Sequence, residues 1–191
     1  MTDNEQIRES LDSFTRHFAG CTSDRYSEMR NCSFFDPVPD EVLSKLADVG
    51  HILSCKAGDN IITEGDVMRS FYVVLFGSAT VFVMKQKVGA LIRGECLGEG
   101  AFFAQDNQMR SATVAADGEL ILLEMTQDDI DRIDVLTRLY LNKALLLAMF
   151  RKLQAANNKI KSLSRENEQL RQSQPDALNL LIHEIKSHTG V

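Results

Sequence analysis

The stretch Gly94-Glu95-Cys96-Leu97-Gly98-Glu99-Gly100-Ala101-Phe102-Phe103, followed past a short polar loop by Arg110-Ser111-Ala112-Thr113-Val114, decides how this chain is read. It sits inside a region, Ile52 to Met125, with a distinctive texture. Short apolar or alternating runs recur there: Ile61-Ile62, Phe71 to Phe76, Thr80 to Met84, Ala90 to Ile92, Ser111 to Val114 and Leu120 to Leu123. Gly58, Gly65, Gly77, Gly94 and Gly118 stand between or beside them, where turns need unusual backbone angles or close approach. Many short strands punctuated this way predict a small β-barrel or jelly roll. The fold class expected is α+β: that barrel, flanking helices and a long C-terminal helix.

The quoted stretch resembles the cyclic-nucleotide-binding domain family, specifically the sensor domain of the catabolite-activator (CRP/FNR) type, whose phosphate-binding cassette reads G-E, a small helix, then R-[S/T/A]-A. The resemblance runs from about Phe34 to Leu163 and takes in Gly58, Ile61-Ile62, Glu64-Gly65-Asp66, Phe71-Tyr72-Val73-Val74 and Gly77. It implies that cyclic AMP, with cyclic GMP as second candidate, is the ligand, and that Gly98, Glu99, Gly100, Ala101, Arg110, Ser111 and Ala112 hold it. The chemistry suits those residues. A cyclic phosphate needs a fixed cation with several donors, which a guanidinium supplies, and backbone N–H groups at a helix start. Arg110 fits the first need; the amides of Ala101, Ser111 and Ala112 fit the second, because small side chains let the ligand approach. Glu99 is the acceptor for the ribose 2′-hydroxyl. Gly100 departs from the usual aliphatic residue, and the loop from Glu99 to Arg110 is slightly long for the family. Aligning Arg151-Lys152-Leu153-Gln154 with the family's long helix puts Ala156 and Asn157 where two base-reading hydroxyl residues are usual. The Asn157 amide both donates and accepts, so it suits adenine or guanine.

Outward from the barrel the pattern turns helical. Residues 1–30 carry Ile7, Leu11, Phe14 and Phe18 on a weakly amphipathic leader, and after Pro37 and Pro39 a short helix is expected with Val42, Leu43, Leu46 and Val49 on one face. Thr126 followed by Asp129 marks another helix start. The barrel domain is thus placed at 31–135. From 136 to 174 a long helix is expected, with Leu146, Met149, Leu153, Ala156, Ile160, Leu163, Asn167 and Leu170 alternately three and four residues apart. That seam predicts a two-stranded coiled coil and a homodimer through 146–170, with Asn167 as a buried amide setting register. Pro175 is expected to end the helix, leaving 175–191 as a short helix or tail.

Composition narrows the partners. A net charge of −6 gives no general attraction to nucleic acid or anionic lipid, and the 28 residues after Leu163 in a chain of 191 leave little room for a DNA-reading domain. No apolar run approaches the ~20 residues of a membrane span, so a cytoplasmic protein is expected. Cys21, Cys32, Cys55 and Cys96 are dispersed, with no metal-ligand spacing. The aspartates at 128, 129 and 131 lack the glycine and closing Glu of a calcium loop. No metal, no further cofactor and no catalytic residue are expected, since no nucleophile accompanies Glu99 and Arg110. Three function classes follow: a nucleotide-gated module signalling to an unidentified protein partner, a structural dimer with a degenerate pocket, and a sensor of another ligand on the same barrel, such as haem on Cys96.

Overall fold

The computed structural model describes residues 22–103 and 109–189. Its backbone divides into two units, the first ending at Ala148 and the second beginning at Met149. The leader residues before Thr22, residues 104–108 and residues 190–191 lie outside the described residues.

In the first unit, α1 (Thr22–Arg30), a 3₁₀ turn (Ser33–Phe35) and α2 (Asp40–Val49) precede the strands. Eight strands follow: β1 (His51–Cys55), β2 (Asn60–Ile62), β3 (Ser70–Phe76), β4 (Ser78–Val83), β5 (Gln86–Ile92), β6 (Cys96–Leu97), β7 (Thr113–Ala116) and β8 (Leu120–Thr126), with α3 (Glu99–Phe103) between β6 and β7. They form two antiparallel four-stranded sheets, ordered β1-β8-β3-β6 and β2-β7-β4-β5. This is the jelly roll with flanking helices that the glycine-punctuated texture predicts.

The central strands of the first sheet, β3 and β8, are buried on both faces, while β1 at its edge is half-buried or exposed. Tyr72, Val74, Leu97, Leu120 and Leu122 point into the barrel and meet Ile62, Ala79, Leu91, Val114 and Ala116 of the second sheet. Phe71, Val73, Leu75, Ile121, Leu123 and Met125 point outward under the helices, against Phe34, Phe35, Leu43 and Leu46. A strand covered on both sides loses the apolar/polar alternation, which is why β3 reads as the unbroken run Phe71 to Phe76. Each such Leu or Phe withdrawn from water contributes about 1.5–3 kcal/mol, so the doubly covered strands are the stable platform of the unit.

β8 hands the chain to α4 (Gln127–Arg132) through a capping box: Thr126 accepts from the Asp129 N–H, while the Asp129 carboxylate accepts from the Thr126 N–H at 2.8 Å. The next helix, α5 (Val135–Thr189), starts at Asp134, whose carboxylate accepts from the Thr137 N–H and hydroxyl at 3.0 and 2.9 Å. Within the first unit Leu141, Ala144, Leu145 and Ala148 of α5 join the helix-side core. Leu146, on the seam, does not; it is 67% exposed.

Two expectations need correction. α5 does not end at Pro175 but runs through it to Thr189, with no separate terminal helix. Proline removes one N–H and costs about 3 kcal/mol in a helix interior, but elongating an established helix needs no new nucleus, so the turns beyond can still form. The strand beginning at Ser111 instead begins at Thr113, and β1 and β6 are additions to the expected runs.

Candidate functional site

Three constraints build the cassette. β6 delivers the chain to Gly98, which has φ +81 and no room for a side chain: a Cβ there would meet Arg110 Nη1 at 2.5 Å and the Ser70 carbonyl oxygen at 2.9 Å. Next, α3 is held down by Phe102, 7% exposed, whose ring stacks edge-on against Phe71 with centroids 5.0 Å apart. Arg110 is then set by a backbone exchange with the β2–β3 connection, the Gly65 N–H donating to the Arg110 carbonyl at 2.9 Å and the Arg110 N–H to the Asp66 carbonyl at 2.8 Å. From there Ser111 and Ala112 lead directly into β7.

The guanidinium of Arg110 is the chemical centre. It is 5% exposed and donates from Nη1 to the Gly98 carbonyl at 2.8 Å, and from Nη2 to the Ser70 carbonyl at 2.7 Å and the Ser70 hydroxyl at 3.3 Å. Burial lowers its pKa, while the nearby Tyr72, Glu99, Glu124 and Asp66 oppose that shift. An arginine remains charged throughout the working pH range, so the site presents a fixed cation. Glu99, the first residue of α3, is half-buried within electrostatic range of it.

The structure therefore brings Gly98, Glu99 and Arg110 together, with Gly100 and Ser111 exposed and Ala112 half-buried beside them. Ala101 lies in the first turn of α3. A Cβ at Gly100 would meet nothing within 4 Å, so the departure from an aliphatic residue there removes no packing contact. Asn157 lies on α5 in the second unit, exposed. Ser70, Tyr72 and Glu124 carry no site role in the sequence reading; Ser70 bonds Arg110 directly and Tyr72 bonds Ser70, contacts that only the fold makes. Among the described residues no cluster of His, Cys, Asp and Glu could hold a metal, and no helix is long and apolar enough to cross a membrane. Cys32 and Cys96 are buried thiols, and burial pushes the pKa values of Cys32 and Cys55 upward, making both weaker acids.

Residues 52–133 match the family model of the cyclic nucleotide-binding domain, and the barrel is a domain of that family. The chain is 28% identical over 90 residues to the Pycsar effector protein BcPycTIR of Burkholderia cepacia, covering 47% of this chain and 29% of that protein. It is 32% identical over 92 residues to a cAMP-dependent protein kinase regulatory subunit of Emericella nidulans, covering 47% of this chain and 22% of that protein. The chain thus spans less than a third of either relative. Among solved structures, the catabolite activator protein of Thermus thermophilus superposes with a TM-score of 0.57 at 22% identity, over 69% of this chain and 63% of that one, a likeness of fold.

Proposed function

We propose that this chain is a regulatory protein that binds a cyclic nucleotide, cyclic AMP or cyclic GMP, in the barrel, and signals by protein–protein contact as a homodimer joined through 146–170. The observation that carries the binding reading is Arg110: a buried guanidinium anchored by carbonyls on one side, next to a small-residue loop and a carboxylate, inside a domain of a nucleotide-binding family. Of its five N–H groups, the bonds to Gly98 and Ser70 occupy three, which leaves donors for a phosphate. Gly98, Gly100, Ala101, Ser111 and Ala112 supply close backbone approach, and Glu99 takes the ribose hydroxyl. Asn157 enters on the chemistry of its amide alone, and its share is read from Asn157→Ala. The reading is one of binding without catalysis; among the described residues no cluster of His, Cys, Asp and Glu could hold a metal beside Arg110 and Glu99.

Calorimetric titration with cyclic AMP and cyclic GMP side by side tests the reading. Saturable one-site binding of either supports it; no heat from either at millimolar ligand sinks it.

A further inference from the structure

Behind Arg110, inside the barrel, runs a line of polar groups that the cassette motif does not include. Ser70 opens β3 and is 2% exposed. Its hydroxyl accepts from Arg110 Nη2 at 3.3 Å and donates to the Tyr72 hydroxyl at 3.0 Å. Tyr72, 3% exposed, stands directly across the β3/β8 ladder from Glu124, whose carboxylate lies close enough to raise the pKa of the tyrosine hydroxyl. The Ser70 hydroxyl accepts one bond and donates one, and the Tyr72 hydroxyl accepts from Ser70 and faces Glu124 across the ladder. The polarity runs one way, from a guanidinium that can only donate to a carboxylate that can only accept. The shifts on Tyr72 agree with that order: burial raises its pKa most, the donation from Ser70 lowers it, and the Glu124 carboxylate raises it again.

Packing does not require these groups. Tyr72 lies in an apolar cluster with Val74, Leu97 and Leu122, where Phe and Ala would fill the space of Tyr72 and Ser70 without the desolvation cost of buried hydroxyls. What the line does supply is a counter-charge from the rear. Glu99 stands on the cassette itself, where the ligand would need it. Glu124 stands beyond the Ser70 and Tyr72 hydroxyls, off the cassette.

We propose, on the reading that the pocket takes a cyclic phosphate, that Ser70, Tyr72 and Glu124 form a relay that positions the Arg110 guanidinium, making Ser70 and Tyr72 affinity determinants that do not touch the ligand.

The test is calorimetric titration of the full chain with cyclic AMP and cyclic GMP for wild type, Ser70→Ala, Tyr72→Phe, the double variant and Arg110→Ala, with unliganded melting curves beside them. Each single variant loses one link and is expected to weaken binding about three- to tenfold, the worth of one buried hydrogen bond. The double variant is expected to be no weaker than the worse single one, because one broken link already severs the relay. A packing role alone would lower the melting temperature and leave the dissociation constant unchanged. Wild-type affinity in both single variants, or fully additive losses in the double, overturns the relay, provided that wild type binds and Arg110→Ala does not. If wild type takes up neither nucleotide, the reading of the pocket itself fails and the relay fails with it.

Discussion

A guanidinium withdrawn almost wholly from water is kept only where its donors have partners, and Arg110 donates to the Gly98 and Ser70 carbonyls. Removing a buried charged partner costs about 2–5 kcal/mol, so Arg110→Ala should weaken cyclic-nucleotide binding roughly 30-fold or more. Glu99→Ala should lose less, because a neutral hydroxyl held by a charged acceptor is worth about 1.5–3 kcal/mol. The ordering is what titration checks: an equal or larger loss at Glu99 would make it a brace for the cassette and not the sugar's acceptor. Gly98, Glu99 and Arg110 are readable in the sequence because a contiguous loop makes their whole neighbourhood. The roles of Ser70 and Tyr72 are not, since β3 reads as an apolar packing run and only the fold brings Ser70 against Arg110 and Tyr72 opposite Glu124.

The elements around the cassette depend on their ends. Thr126 caps α4 where β8 stops, so Thr126→Ala removes a reciprocal cap worth about 1 kcal/mol and should lower the melting temperature by about 3 °C, with Thr126→Ser close to wild type. Melting curves of the two variants decide it; equal losses would mean that the Thr126 methyl, and not the hydroxyl, matters. Three aspartates at such junctions have pKa values below the usual carboxylate range. Asp117 is held there by the Thr80 and Ser78 hydroxyls, and Asp134 by the Lys45 ammonium and then by the Thr137 N–H and hydroxyl. For Asp129 burial pushes upward, and the Thr126 hydroxyl and N–H together with His51 pull it lower still. A depressed folded value means that the stabilisation is complete above the unfolded pKa of about 3.9 and disappears as pH falls through the folded value. Urea unfolding free energies should therefore fall most steeply below about pH 4, and Asp134→Asn should flatten that slope. An unchanged acid slope in that variant would show that the Lys45 contact carries no linkage. Sequence reading located most elements because the glycines and the Thr126–Asp129 spacing are local signals. β6, two residues long, has no pattern of its own, and the passage of α5 through Pro175 depends on helix already formed upstream.

At the scale of the whole molecule, the feature that the first unit does not explain is the seam on α5. The face of α5 buried in the first unit is Leu141, Ala144, Leu145 and Ala148, while Leu146 on the seam stays exposed. In the second unit Leu153, Ile160, Leu163 and Leu170 are 49–62% exposed along the same helix. Their spacing of seven, three and seven residues keeps them on one side of a helix under-wound to 3.5 residues per turn, the geometry in which two helices interlock. Asn167 follows Ile160 by seven residues, at the position where a buried amide favours two strands in register over higher assemblies. A dimer is therefore predicted, with the seam as its interface. Leu153→Glu with Ile160→Glu places two charges per chain at that interface and withdraws two apolar side chains, each worth about 1.5–3 kcal/mol when buried, so the dimer dissociation constant should rise at least about a hundredfold. Sedimentation equilibrium of wild type and double variant at micromolar concentration measures this. Melting of the barrel should change little, since neither residue belongs to its core. Monomeric wild type, or a double variant as dimeric as wild type, would remove the seam as the interface and leave its exposed leucines to be covered by a different protein.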